Sequence, residues 1–239
     1  MMQSEKKITR SNAMDIIRRF ARDYRKALGK APGEIIIVGG GSIMLNYQFR
    51  DTTQDLDVIL HTASGIKDVI VRFADENGLP RDWMNTDFVK TASFSEALTE
   101  VSRHYCWLNN QTLEIRTVSG VYLIAMKMVA HRDYRNDISD AIGILIEEAE
   151  NGHAFTYDDV EAAYQKLYHK MPDEKLRNQF RDLCSKSTSE LKAIYNSQID
   201  TEALVGDQLI TYIKDGADIN TNNVNEITAR IRTKMQQKR

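Results

Sequence analysis

Asp55 and Asp57 stand two residues apart inside the apolar run Leu56, Val58, Ile59 and Leu60, downstream of the glycines Gly39-Gly40-Gly41 and Ser42. Side chains alternate along a strand, so both carboxylates face the same way. Two parallel carboxylates repel each other and are costly to bury. A divalent cation removes that penalty, and Mg²⁺, or Mn²⁺ in its place, takes one or two carboxylates together with phosphate oxygens. A metal held so orients a triphosphate and stabilises charge in an in-line displacement. The glycines supply the other half. After a strand, Gly39, Gly40 and Gly41 let the backbone approach a ligand closely, and Ser42 opens a short helix whose first amides favour phosphate. The stretch is not a Walker A loop, because no Gly-Lys-Ser/Thr follows. It is not GxGxxG either, because Ile43 and Met44 occupy the wrong places. Each half alone has a plain alternative, a tight turn for the glycines and a strand end for the acids. Their strand–turn–helix–strand order points to a nucleoside triphosphate site.

A second group of residues starts at Val121. Lys127 is the lone charge in the apolar stretch 121–130, so it either snorkels to solvent or meets an anion. Arg132, Asp137 and Asp140 follow. Asp137 also suits the first turn of a helix, where it would face the dipole.

Positioning these residues takes a set of elements that periodicity makes legible. The spacing predicts helices over residues 14–28, 41–47, 66–77, 95–102, 121–130 and 137–149. It predicts strands over 34–38 and 55–60, and a hairpin of 105–108 with 111–118 across Asn109-Asn110. Residues 79–92 read as irregular, with Trp83 as a loop anchor or a base-stacking platform. Ser11 or Asn12 suits the cap of the first helix. After Asn151-Gly152 the strand signals stop, and helices are expected over 157–168, 174–185, 189–197, 202–214 and 224–234. The chain therefore reads as an α+β part over residues 1–150 and an all-helical part over 151–239.

Composition narrows the classes. With 239 residues there is room for a core without staples. A net charge of −2 exerts no global pull toward nucleic acid or membrane. The basic run Arg230, Arg232, Lys234, Lys238 and Arg239 is either a solvated helix end or an RNA contact. Cys106 and Cys184 form no CxxC, so neither zinc nor a disulfide framework is expected. No apolar stretch is long enough to cross a membrane, and the N-terminus lacks the apolar core of a signal peptide. A cytoplasmic location with no membrane partner is the expectation.

The stretch from Gly39 to Asp57 resembles the signature of the nucleotidyltransferase superfamily, the DNA polymerase β-like fold. More narrowly it resembles the AbiEii-type toxin branch, including MenT-like nucleotidyltransferases. That branch has two glycines and small residues, then an Arg, a Ser or Thr, and Asp-x-Asp. Gly39, Gly40, Arg50, Thr53, Asp55 and Asp57 match it, while Gly41 stands where these toxins often have a hydroxyl residue, with Ser42 next. The branch also has a Lys on the helix after its sheet, then an Arg and Asp-x-x-Asp, which Lys127, Arg132, Asp137 and Asp140 match. The resemblance covers about residues 14–150. It implies a mixed sheet flanked by helices. Asp55 and Asp57 would be metal ligands and catalytic acids. Gly39, Gly40, Gly41, Ser42, Arg50, Thr53 and Lys127 would be nucleotide contacts, and Asp137 would complete the acidic site or orient Lys127. Many relatives carry a third acid on a neighbouring strand. Glu114 is the candidate here, against the plainer reading of a solvent-facing acid.

The reaction so implied moves a nucleotidyl group from an NTP to an acceptor hydroxyl. The toxin likeness suggests a tRNA 3′ end, another RNA or a protein as acceptor, with a cognate antitoxin as partner. The alternative is a non-catalytic nucleotide-binding or partner module on a relic fold. Modification of a small molecule such as an aminoglycoside shares the chemistry but not the likeness at Lys127.

Overall fold

Ile16, Ile17, Phe20, Ala21 and Tyr24 recur at helical spacing, and in the computed structural model they line the buried face of one long helix. The structure describes residues 7–130, 136–220 and 223–236. In chain order the elements are β1 (Ile8–Thr9), α1 (Arg10–Leu28), β2 (Gly33–Ile37), α2 (Gly39–Asn46), β3 (Thr52–Thr53), β4 (Leu56–His61) and α3 (Ile66–Asn77). Then come β5 (Met84–Asn85), a 3₁₀ turn (Asp87–Lys90), α4 (Ala97–Val101), β6 (Ser102–Leu108), β7 (Leu113–Val118) and α5 (Gly120–Ala130). Helices α6 (Asp137–Glu150), α7 (Tyr157–Tyr168), α8 (Glu174–Ser185), α9 (Thr188–Lys214) and α10 (Val224–Gln236) complete it. This is the expected α+β arrangement, a mixed sheet flanked by helices and followed in sequence by helices only. None of the described helices is long and apolar enough to cross a membrane.

The chain forms two compact units. One comprises Met1–Met126 with Asp159–Met171, the other Lys127–Asp158 with Pro172–Arg239, and the chain passes between them inside α5, inside α7 and again at Met171–Pro172.

The first unit is built on a sheet of order β5–β4–β2–β7–β6. Strand β2 runs antiparallel to β4 and parallel to β7. Strand β5 adds in parallel to β4, and β6 closes the other edge antiparallel to β7. The expected hairpin forms, but its strands start at Ser102 and Leu113. Its turn holds Asn109, Asn110 and Gln111 at positive φ, a conformation that Asn tolerates better than most residues. One sheet face carries Ile35, Ile37, Leu56, Val58, Leu113 and Ile115 into a core shared with α1 and α3. There Phe20, Phe73 and Trp83 pack together with ring centroids 5.3–5.6 Å apart. Trp83 is fully buried and its indole N–H donates to the carbonyl of Ile70, so it is an anchor. Helix α1 starts earlier than its periodicity suggests. Thr9 is the cap residue, and Asn12, inside the first turn, accepts the Thr9 N–H at 2.9 Å.

In the second unit α6 packs on α9. The two helices expected at 189–197 and 202–214 are one continuous α9. Between them Gln198, Ile199, Asp200 and Thr201 contain no helix breaker, and Leu191, Glu202, Val205 and Leu209 share its buried side. Buried Glu202 accepts the Ser139 hydroxyl at 2.5 Å, the Ser139 N–H at 3.3 Å and the Gln198 amide at 2.9 Å. It thereby satisfies an amide of the first turn of α6 that has no partner within the helix.

Candidate active site

The chain leaves β2 at Ile37 and turns through Gly39, whose φ of +55° suits glycine and few other residues. Helix α2 follows directly. It is stitched to the end of β7. The buried Ser42 hydroxyl accepts the Val118 N–H at 2.9 Å and donates to the Val118 carbonyl at 3.2 Å. Asn46 donates to the same carbonyl at 3.0 Å and accepts from the Thr117 hydroxyl. Ser42, expected among the nucleotide contacts, is thus placed in the core with its hydroxyl engaged by the sheet.

The glycines face different neighbours. A Cβ on Gly39 would lie 3.2 Å from Oδ2 of Asp57. One on Gly40 would lie 2.7 Å from the Arg50 guanidinium and 3.2 Å from the Thr53 hydroxyl. One on Gly41 would press into Leu56 and Ile37 at 2.8 and 3.0 Å, so this glycine serves the packing of α2 on the sheet. Six residues singled out from the sequence therefore come together around the start of α2: Gly39 beside Asp57, Gly40 beside Arg50 and Thr53, and Thr53 donating its hydroxyl to the Asp55 carbonyl at 2.9 Å.

Asp57 lies in β4 and Asp55 just before it, and both are half-buried. Strand β5 sets Asn85 opposite Asp57. The Asn85 amide donates to Oδ1 of Asp57 at 2.9 Å while its carbonyl accepts the Asp87 N–H. That second bond fixes which way the amide points. The stretch Asp82–Asn85 resembles related bacterial proteins, but sequence reasoning gave Asn85 no role, because a two-residue strand carries no periodicity.

Glu114 lies elsewhere. It pairs in register with Glu34, whose other neighbour is His61. Ile37 pairs with Val58 and Thr117, and Val38 donates its N–H to the Asp57 carbonyl, so Asp57 is level with Val38 and the end of β7. Glu114 is four residues short of Val118, about 13 Å along the strands. It bonds His104 at 2.9 Å and lies 3.7 Å from the Arg116 guanidinium, which also meets Glu34. Among the described residues no three His, Cys, Asp or Glu side chains form a group able to hold a metal.

The remaining expected site residues belong to the second unit. Lys127, buried in α5, sets its ammonium 2.9 Å from Asp137 and 2.7 Å from Asp140. Both acids are in the first turn of α6, where the dipole favours them. Arg132 lies outside the described residues.

A family model described as a nucleotidyltransferase of unknown function (DUF6036) matches residues 17–185. The chain belongs to that family. The match takes in the whole five-stranded sheet, the glycine turn, both acids and the Lys127 group of this nucleotidyltransferase-family protein, and it ends before α9. Comparison with curated proteins found no match, and comparison with solved structures found none.

Proposed function

We propose that this chain is a metal-dependent nucleotidyltransferase that moves a nucleotidyl group from an NTP to an acceptor hydroxyl. The observation that carries the reading is the pair of bare glycine Cα positions, Gly39 against Asp57 and Gly40 against Arg50 and Thr53. A backbone stripped of side chains beside the Asp57 carboxylate on one side and the Arg50 guanidinium on the other suits a phosphate chain with its cation. Asp55 and Asp57 would hold Mg²⁺ or Mn²⁺. Two carboxylates without a third fit a cation that takes its other ligands from phosphate oxygens and water. When bound, it would supply charge neutralisation and orientation for an in-line displacement. Arg50 and Thr53 would bond the phosphate oxygens, a charge-assisted contact in the case of Arg50. The first amides of α2 add to it. As the acceptor oxygen bonds to phosphorus and pyrophosphate leaves, one of the two carboxylates would take the acceptor's proton.

The finer reading is a toxin of a toxin–antitoxin or phage-defence system, with tRNA, another RNA or a protein as acceptor and a cognate antitoxin as partner. Its support is the order Lys127, Asp137, Asp140 behind the Asp55–Asp57 motif. The resemblance gives Lys127 to the triphosphate. The pairing of Lys127 with Asp137 and Asp140 suits an acid that orients the ammonium, as the resemblance implies, and equally the second reading, a non-catalytic module whose ammonium is already engaged.

One experiment decides between them. The full chain is incubated with each labelled NTP, a divalent cation and total RNA, then resolved on a gel that also shows the protein. Label on RNA or on protein, lost in Asp57→Ala with an unchanged melting temperature, supports the enzyme and identifies its acceptor class. No label with any NTP supports the module.

A further inference from the structure

We propose that Arg10 is the positioning residue of the nucleotide loop: its guanidinium holds residues 48–51 in the shape that brings Arg50 and Thr53 to Gly40. The inference rests on the nucleotidyltransferase reading above. Residues 47–51, between α2 and β3, follow an irregular path. Arg10 bonds them at several points. The Arg10 guanidinium donates to the Gln48 carbonyl at 2.6 Å, to the Arg50 carbonyl at 2.6 Å and to the Gln48 side-chain carbonyl. The Arg10 N–H donates to the Asp51 carbonyl at 2.8 Å. Directly before Arg10, strand β1 pairs with β3 in the register Ile8 to Thr53 and Thr9 to Thr52. The backbone of Arg50 is thus tied at its carbonyl, and the next residues at their ladder. The Arg50 guanidinium then lies 2.7 Å from the place where Gly40 lacks a Cβ.

The chemistry demands arginine. A planar fork bonds several acceptors at fixed angles, whereas a lysine ammonium is a point charge on a flexible stem. Arg10 also meets the Asp51 carboxylate at 3.4 Å, but that side chain is 86% exposed, so the ion pair contributes little and the carbonyl bonds carry the grip. Residues 8–10 precede the segment matched by the family model, which begins at residue 17. The clamp is therefore a feature of this chain that its family match does not describe.

The test measures affinity for mant-labelled ATP, GTP, CTP and UTP with Mg²⁺, affinity for Mn²⁺ alone by electron paramagnetic resonance, and amide exchange, all on the full chain. Arg10→Met is expected to weaken the preferred triphosphate by about tenfold or more, a loss of ~1.4 kcal/mol. Exchange protection of residues 48–53 should fall with it. Mn²⁺ affinity should stay unchanged, since the partners of Arg10 are Gln48, Arg50 and Asp51 and not the paired acids. Arg10→Lys should be intermediate and Asp51→Asn silent. Triphosphate affinity of Arg10→Met within about twofold of wild type overturns the proposal. So does a joint loss of triphosphate and Mn²⁺ affinity, which marks a general structural role. Should Arg10→Met fail to fold, Gln48→Ala removes one acceptor and should weaken the triphosphate in the same direction; an unchanged affinity overturns the proposal. A wild-type chain that binds none of the four triphosphates sinks the parent reading and this one with it. Protected 48–53 amides in wild type and exposed ones in Arg10→Met would then show that the clamp exists and serves something else.

Discussion

Gly40→Ala puts the smallest side chain where the structure leaves none. The new Cβ would lie 2.7 Å from a terminal nitrogen of Arg50, 3.0 Å from its central carbon and 3.2 Å from the Thr53 hydroxyl. Ordinary contact between such atoms is about 3.5 Å or more, so the guanidinium must retreat by close to an ångström. Its far end is flexible, and α2 gains from alanine about as much as glycine loses, roughly 0.5–1 kcal/mol. The melting temperature should therefore hold or rise. Binding should not. If Arg50 contacts the triphosphate, losing that charge-assisted bond costs about 1.5–3 kcal/mol, which is roughly a ten- to hundredfold rise in Kd. Gly41→Ala is the matched control. Its Cβ would meet Leu56 and Ile37 inside the core at 2.8 and 3.0 Å, and overpacking costs about 1–3 kcal/mol of stability. Titration with a mant-labelled NTP and thermal melts of both variants separate the effects. A Gly40→Ala protein with wild-type triphosphate affinity would refute the placement of phosphate against Gly40 and Arg50.

Lys127→Met removes the ammonium that bonds buried Asp137 and Asp140, and urea unfolding should show a loss of about 3–5 kcal/mol. A stable Lys127→Met chain would mean the three charges do not depend on one another. Burial raises the pKa of the Glu202 carboxyl, helped by nearby Asp140 and opposed by the bonds from Ser139 and Gln198. The folded chain holds that proton more tightly than the unfolded one, so the resulting stability is complete below the ordinary carboxyl range and is lost as pH rises through the raised value. Glu202→Gln should accordingly gain melting temperature relative to wild type as pH rises from about 4 to 8, and a difference independent of pH contradicts it. Glu114→Gln should leave nucleotidyl transfer and Mn²⁺ affinity unchanged, because its carboxylate serves His104 and Arg116. Loss of Mn²⁺ affinity in this variant would return Glu114 to the metal.

Much of the architecture was legible because its causes are local. The 3.6-residue spacing of Ile66, Val69, Ile70 and Phe73 makes α3 wherever it packs, and Gly78, at φ +66°, ends it where the sequence places a glycine. The glycine turn was legible for a similar reason, since φ preference acts on single residues, whereas side-chain alternation reaches Asp57 but not Asp55, which precedes β4. The short strands were not. Ile8–Thr9, Thr52–Thr53 and Met84–Asn85 are too brief for a period of two to register, and each exists only through a partner far along the chain.

What the sequence by itself determined, then, is the longer helices and strands and the residue types expected to meet phosphate and metal. Propensity, periodicity and charge are properties of neighbours in the chain. Which of those residues meet was decided by tertiary structure. Strand register put Glu114 with Glu34 and His104, and set Asn85 against Asp57. Helix packing gave Lys127 two carboxylates and brought Glu202 to the first turn of α6. Pairing of β1 with β3 delivered Arg10 to the loop of Arg50. Each of these contacts joins residues 10 or more positions apart, and the geometry that selects one partner over another comes from burying the faces of whole strands and helices together, which no short window of sequence contains.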